Sequence, residues 1–243
     1  MKVQYAPWEK RNLGITSYEI AIEAKDSFNI VRKEIEKIDS ADYIVVKVPV
    51  NKKDFLWGMP EIGYTFIENQ VLMRVDKANY VPIPDPKEFE GRLSVRNVTD
   101  EIGQKRIKDH IGTLLFDTDR VSLDKFFTKE DAAKRYQNWT QDVLEKGGTL
   151  HELYVDDTPA GFTLIPKNEG PEGHAGLSSL YKEFQGKHLG AIIFRSSIGC
   201  VLEKGAECCI TGTSSNNYTS ITTHLRAGYY ICGMEYVYVK HFF

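Results

Sequence analysis

The chain has 243 residues, 42% of them hydrophobic, enough for one generous core or two modest ones. Its formal net charge of -3 excludes the strongly basic surface that would advertise nucleic acid or an anionic membrane as partner. The stretch from Met1 to Gly14 carries no apolar signal segment and the most apolar run, Tyr43 to Val50, is short and interrupted by Lys47, so a cytoplasmic location is expected.

In chain order, apolar alternation and turn residues predict a strand at Ile15 to Ala24, a helix from about Ser27 to Ile38 and a strand at Ala41 to Val50. A short helix near Lys53 to Pro60 and a strand at Thr65 to Asp76 complete this first α/β segment. The run Val81, Pro82, Ile83, Pro84, Asp85, Pro86 cannot belong to a helix or a central strand, and reads as an extended linker. It divides the chain into a unit at 1–80, a linker at 81–91 and a unit at 92–243. In the second unit, Asp119 to Phe127 precedes a helix containing Trp139. A strand follows at His174 to Tyr181, then a helix from about Leu189 to Lys204 and a strand at Glu207 to Gly212. The cluster Thr213 to Asn217 is rich in capping residues and starts a short helix ending before Gly228 and Tyr229. The last strand, Glu235 to Val239, alternates apolar and polar residues toward an exposed-looking His241, Phe242 and Phe243; such an edge makes a homodimer plausible.

Between the strand and the helix of the second unit lies Phe184, Gln185, Gly186, Lys187, His188, Leu189, Gly190. Glycines where the chain must approach a ligand closely, with the first turn of a helix behind them, direct unpaired N–H groups and the positive helix end at an anion. No Gly-x-x-x-x-Gly-Lys-Ser/Thr run and no Gly-x-Gly-x-x-Gly fingerprint exists, so neither a P-loop nor the usual dinucleotide fold is indicated. Cys200, Cys208, Cys209 and Cys232 form no Cys-x-x-Cys pair and have no histidines at ligand spacing, so reduced core thiols and no metal are expected. The first unit also echoes the second: Gly63, Tyr64 lead into Gln70 to Val75 as Gly228, Tyr229 lead into Glu235 to Val239.

This order of parts resembles the Gcn5-related N-acetyltransferase (GNAT) family over roughly Gly91 to the C-terminus. The likeness rests on the loop from Gln185 to Gly190, similar to that family's Gln/Arg-x-x-Gly-x-Gly/Ala pyrophosphate loop, and on Ser215, Asn216, Asn217 running to Gly228, Tyr229. One departure is that the family's middle glycine is His188 here. The resemblance implies an α/β (α+β) fold with a mixed, mostly antiparallel sheet flanked by helices, preceded by a partial copy of the same unit that lacks the phosphate loop. It implies acetyl-CoA as co-substrate, held by Leu180, Gln185, Gly186, Lys187, His188, Leu189, Gly190 and Asn217, with no metal. The sheet should splay where Leu180 precedes the loop, and the Leu180 N–H is the implied oxyanion donor. His224 matches the position of the family's usual tyrosine acid. Amide formation from a thioester needs a held neutral amine, donors for the oxyanion and a proton for the thiolate, with no covalent enzyme intermediate. A water-relayed base is preferred, with His174 a weaker candidate.

Pro7, Trp8, Glu9, Leu13 and Gly14, a partial first domain, and the segment Asp119 to Phe127 further resemble the TDP-fucosamine acetyltransferases of surface-polysaccharide biosynthesis. In that group a TDP-linked 4-amino-4,6-dideoxy sugar accepts the acetyl, which nominates Asp119, Arg120 and Lys125 as substrate contacts, Arg120 first because guanidinium suits a diphosphate. Two alternatives stay open. One is an N-acyltransferase for an amino acid, polyamine or protein N-terminus; the other is a non-catalytic acyl-CoA-binding protein of the same fold.

Overall fold

The computed structural model describes residues 1–113 and 116–243. The first segment contains β1 (Lys2–Tyr5), α1 (Pro7–Leu13), β2 (Ser17–Ala21), α2 (Phe28–Ile35), β3 (Tyr43–Pro49), α3 (Lys53–Glu61) and β4 (Thr65–Asp76). Residues 81–86 are neither helix nor strand and are strapped across a later helix: Arg195 donates to the Ile83 carbonyl at 2.8 Å and pairs with Asp85 at 2.7 Å. The second segment contains β5 (Leu93–Asn97), α4 (Glu101–Ile111), α5 (Arg120–Leu123), α6 (Lys129–Glu145), β6 (Thr149–Val155), β7 (Thr158–Ile165), β8 (Glu172–His174) and β9 (Ser178–Leu180). It ends with α7 (Gly190–Glu203), β10 (Cys208–Ser214), α8 (Tyr218–Ala227) and β11 (Tyr230–His241).

Local chemistry accounts for several boundaries. Asp100 caps α4 by accepting from the Gly103 N–H at 2.7 Å, and Thr128 and Asp131 form a reciprocal capping box on α6. Gly63 and Gly228 lie at φ +86 and +107, the left-handed conformation that lets each helix–strand corner turn sharply before its tyrosine.

The strands form a seven-stranded sheet ordered β1-β2-β3-β11-β4-β10-β8 and a four-stranded sheet ordered β5-β6-β7-β9. Pairing is antiparallel except for β2 with β3 and β10 with β8. The architecture is thus mixed and mostly antiparallel with flanking helices, its strands divided between two sheets. From β2 to β8 the pairing directions read the same from either end: parallel, three antiparallel, parallel. Elements β3, α3 and β4 recur as β10, α8 and β11 at one constant spacing of 165 residues (208 minus 43, 218 minus 53, 230 minus 65). Each copy's last strand crosses into the other. β4 lies between β10 and β11, and β11 lies between β3 and β4.

The cores record the same exchange. Val71, Met73 and Val75 of β4 pack with Ile198, Val201, Ala227 and Tyr229 of the second copy. Tyr238 of β11 packs with Ile44, Val46, Phe55 and Met59 of the first. Each such buried apolar side chain is worth about 1.5–3 kcal/mol, so neither copy completes its core without the other's strand.

Three expectations are corrected. β11 runs from Tyr230 to His241 and is paired on both sides, so it offers no free edge for a homodimer; His241 is half-buried against Asp124 at 2.8 Å, while Phe242 and Phe243 are exposed. The strand expected at His174 to Tyr181 is two strands in two different sheets. Cys200, Cys208 and Cys209 are buried but Cys232 is exposed, facing solvent from β11. Among the described residues no group of His, Cys, Asp or Glu is placed to hold a metal ion, and no helix is long and apolar enough to cross a membrane.

Because β4 and β11 are mutually inserted, urea unfolding followed by far-UV dichroism and by tryptophan emission should give one coincident transition. Trp8 and Trp57 report the first segment and Trp139 the second. Two separable transitions would contradict the shared sheet.

Candidate active site

A cleft of about 770 Å³ opens between the two sheets. Its origin is the break in the β8–β9 segment. Through His174 the chain runs parallel to β10, with Ala175 N–H still bonded to the Ile210 carbonyl at 2.9 Å. At Gly176 it turns away, its N–H meeting the Leu164 carbonyl of β7 at 2.8 Å. A Cβ on Gly176 would stand 2.8 Å from that carbonyl oxygen, so the crossing needs glycine.

Along β9 the antiparallel alternation fixes where Leu180 points. Leu164 N–H bonds the Leu177 carbonyl at 2.7 Å and Tyr181 N–H bonds the Ala160 carbonyl at 2.9 Å. Leu180, opposite Gly161, is therefore a non-bonded pair, and its N–H turns away from β7 into the cleft. Its carbonyl faces the same way and accepts from Gln185 Nε2 at 3.2 Å.

The loop at the cleft mouth is open for an anion. Gly186 lies at φ +75 and His188 at φ +61, and among the described residues the N–H groups of Gly186, Lys187, His188 and Leu189 make no hydrogen bond to the protein. Leu189 caps α7 with no side-chain acceptor; its carbonyl takes the Ile192 and Ile193 N–H groups at 3.0 and 3.1 Å, and the Gly190 and Ala191 N–H groups of this 14-residue helix bond to nothing among the described residues. Gln185, Gly186, His188 and Gly190 line the cleft. Lys187 is exposed over the Phe184 ring, and Leu189 is buried beneath the loop. The equivalent corner of the first copy is filled: Asp54 accepts from the Phe28 N–H of α2 at 3.0 Å, and Asp26 accepts from the Glu23 N–H at 2.7 Å and pairs with the Met1 ammonium.

Opposite the loop, Asn217 accepts from the Ser220 N–H at 2.9 Å, capping α8, and also lines the cleft. Thr219, Thr223 and Arg226 line it from one face of α8, with Thr223 against Gly190. Arg226 thus brings a cation to the loop end.

His224 also lines the cleft, from the inner side of α8. It is buried, stacked on Phe194 at 3.6 Å between ring centroids, and its Nδ1 meets the Ser220 carbonyl at 2.8 Å. A carbonyl can only accept, so Nδ1 carries the proton and Nε2 is bare. Burial lowers the imidazole pKa to about 4, and the bond to Ser220 offsets only part of that. The expectation of a general acid at His224 meets a ring that is neutral near pH 7 with its one N–H turned back into its own helix.

The nominated substrate contacts separate. Asp119 lines the cleft. Arg120 is buried: one guanidinium nitrogen donates to Glu9 at 2.9 Å and to Glu19 at 2.7 Å. Arg135 donates to the same Glu9 oxygen at 2.9 Å. Arg120 is therefore consumed by a buried ion network tying α1, β2, α5 and α6, and is not presented to a diphosphate. Lys125 is exposed above Phe126, outside the cleft, and so is His174 on β8. Sequence reasoning missed Glu68 and Tyr136. Glu68 reaches the cleft from β4, buried, with its Oε1 accepting from the Arg120 N–H at 3.1 Å.

No model of a known protein family matches the chain, and no curated protein does. Solved structures do match in shape. A GCN5-related N-acetyltransferase from Sphaerobacter thermophilus aligns with 98% of this chain and 76% of its own, at TM-score 0.67 and 11% identity. One from Kribbella flavida covers 93% and 81%, at TM-score 0.64 and 11% identity. A tandem GNAT protein from the clavulanic acid biosynthesis pathway covers 88% and 67%, at TM-score 0.55 and 12% identity. At such identities the likeness establishes the fold: this chain has the GNAT fold.

The buried His224 has a consequence for stability. Its folded pKa lies below the ordinary 6.5, so its contribution is fully present above about pH 6.5 and is lost as pH falls toward 4. Between pH 7.5 and pH 5 the linkage amounts to about 2 kcal/mol. Urea denaturation at the two pH values should show wild type losing about that much more stability than His224→Phe; equal losses would show that the ring is not held neutral.

Proposed function

We propose that the chain is an N-acetyltransferase that moves acetyl from acetyl-CoA to a primary amine by direct attack. The observation that carries this reading is the pairing, in one cleft, of an unsatisfied N–H loop at a helix N-terminus with the inward-turned N–H of Leu180 at the sheet splay. The loop suits the coenzyme's pyrophosphate, with Arg226 and the α7 dipole adding positive potential. The strand edge left free at β9 suits the amide-bearing pantetheine arm, and the Leu180 N–H would meet the thioester oxygen as charge develops on it. Asn217 borders the same passage. No nucleophilic side chain is needed, because the amine attacks the thioester itself.

His188 is compatible with this role despite replacing a glycine. Histidine tolerates the left-handed region better than most side chains, and here it adopts φ +61 while staying exposed. The finer reading drawn from the sequence is a TDP-linked 4-amino-4,6-dideoxy sugar as acceptor. It would need cations at the acceptor end, where Arg120 and Arg135 are committed to Glu9. The general acceptor, a primary amine, does not depend on them.

Acetyl-CoA titration by calorimetry, with thiol release over an amine panel, tests the reading. Binding should be saturable, and His188→Ile should weaken it at least tenfold, since a β-branched residue cannot hold φ +61 without strain. Absence of heat and of thermal shift with acetyl-CoA would overturn it.

A further inference from the structure

The two ends of the cleft are oppositely charged. The loop end carries free N–H groups and Arg226; the far end carries the carboxylates of Glu68 and Asp119, the Tyr136 phenol and the Phe116 ring. Glu68 is 8% exposed and, among the described residues, enters no salt bridge. Its bonded neighbours are uncharged donors: the Arg120 backbone N–H at 3.1 Å and the hydroxyl of Ser214. Asp119 uses one oxygen to cap α5, accepting from Ser122 N–H at 3.2 Å, and its other oxygen stands 3.9 Å from Arg135 Nη1. Thus a buried carboxylate without a counter-cation borders an open cleft, with a second carboxylate beside it.

Resting on the acetyl-transfer reading above, we propose that Glu68 is the general base of the site and that Glu68 and Asp119 together receive a small cationic amine, of the alkyl diamine or polyamine class, as acceptor. The base is supplied by the first structural copy, whose own corner is closed to coenzyme, to a cleft whose loop belongs to the second. An anionic nucleotide sugar would meet two carboxylates there. A dication would place one ammonium at each, with the Phe116 and Tyr136 rings covering the methylenes between.

The proton balance is simple. The Glu68 carboxylate takes one proton from R–NH3+, and the freed lone pair attacks the thioester carbonyl carbon while the C=O π pair moves to oxygen, facing Leu180 N–H. On collapse that pair returns, the C–S bond breaks and its electrons leave with sulfur. The second proton lost by the nitrogen passes to the thiolate, and Glu68 releases its proton to solvent. The products are the amide, free CoA thiol and one proton.

Burial holds the Glu68 carboxyl above the usual carboxylate range, and Asp119 adds to this, while the Ser214 hydroxyl and Arg120 oppose it. The titratable and charged groups facing Glu68 are Asp119 and Arg120 at α5 and the Tyr136 phenol of α6, itself raised by burial and by Asp119. Turnover should therefore rise with pH through the raised carboxyl pKa.

The test uses the full chain with acetyl-CoA and three probes: putrescine, spermidine and a TDP-linked 4-amino-4,6-dideoxy sugar. The amines should exceed the nucleotide sugar in kcat/KM by at least a hundredfold; the reverse order overturns the proposal. Glu68→Gln should lower kcat about a hundred- to ten-thousand-fold, with acetyl-CoA affinity within threefold of wild type and the acid limb of the pH profile abolished. Turnover within threefold of wild type, or a loss matched by equal loss of coenzyme affinity, overturns the assignment. Asp119→Asn should act chiefly on KM, raising it at least tenfold. If acetyl-CoA binds but neither amine is acetylated at any pH, this proposal fails and the coenzyme site stands. If acetyl-CoA does not bind, the acetyl-transfer reading itself fails.

Discussion

The reciprocal insertion of β4 and β11 is the constraint on which the rest of the molecule depends. A sheet made of one copy alone would leave β10 or β3 as an unpaired edge and the apolar face of β4 or β11 uncovered. With the strands exchanged, the seven-stranded sheet has only β1 and β8 at its margins. β8 is three residues long, and its departure from β10 after His174 opens the cleft. The same insertion that completes the second core also lays Glu68 into the wall of its cleft.

The two copies share a plan and differ in electrostatics. At the second, the turn before α7 presents bare N–H groups. At the first, Asp54 and Asp26 occupy the matching donors, so the copy contributes strands and a carboxylate in place of an anion site. The buried cluster of Glu9, Glu19, Arg120 and Arg135 then fixes the first segment against α5 and α6. Removing one member would strand its partner's charge in the interior, where a lone charge costs several kcal/mol. The cluster sets which charges face the cleft: it holds Arg120 and Arg135 on Glu9, leaves Asp119 with only the distant Arg135 Nη1 at 3.9 Å, and leaves Glu68 without an ion pair among the described residues.

Local signals in the sequence carried much of the fold. Alternation over Thr65 to Asp76 marks β4 to its observed ends, and the paired Gly-Tyr corners expose the repeat. The helix after the loop and the cap at Asn217 are legible because capping and glycine chemistry act within a few residues. Non-local pairing is not legible in this way. Nothing in Glu235 to Phe243 shows that β11 is central, because its neighbours β3 and β4 lie far back in the chain. The same holds for charges: Arg120 reads as a phosphate ligand until Glu9 and Glu19, more than a hundred residues earlier, are seen to hold it. For His224, counting along the helix places the residue, but the direction of its N–H is decided by the Ser220 carbonyl one turn away.

A crystal structure of the chain with acetyl-CoA bears most directly on whether the exchanged strands build a working transferase cleft. The account predicts the pyrophosphate on the N–H groups of Gly186 to Gly190, the thioester oxygen within hydrogen-bond distance of Leu180 N–H, and the carbonyl carbon facing the Glu68 carboxylate across the cleft. Coenzyme bound elsewhere, or a thioester directed away from both Leu180 and Glu68, would contradict it.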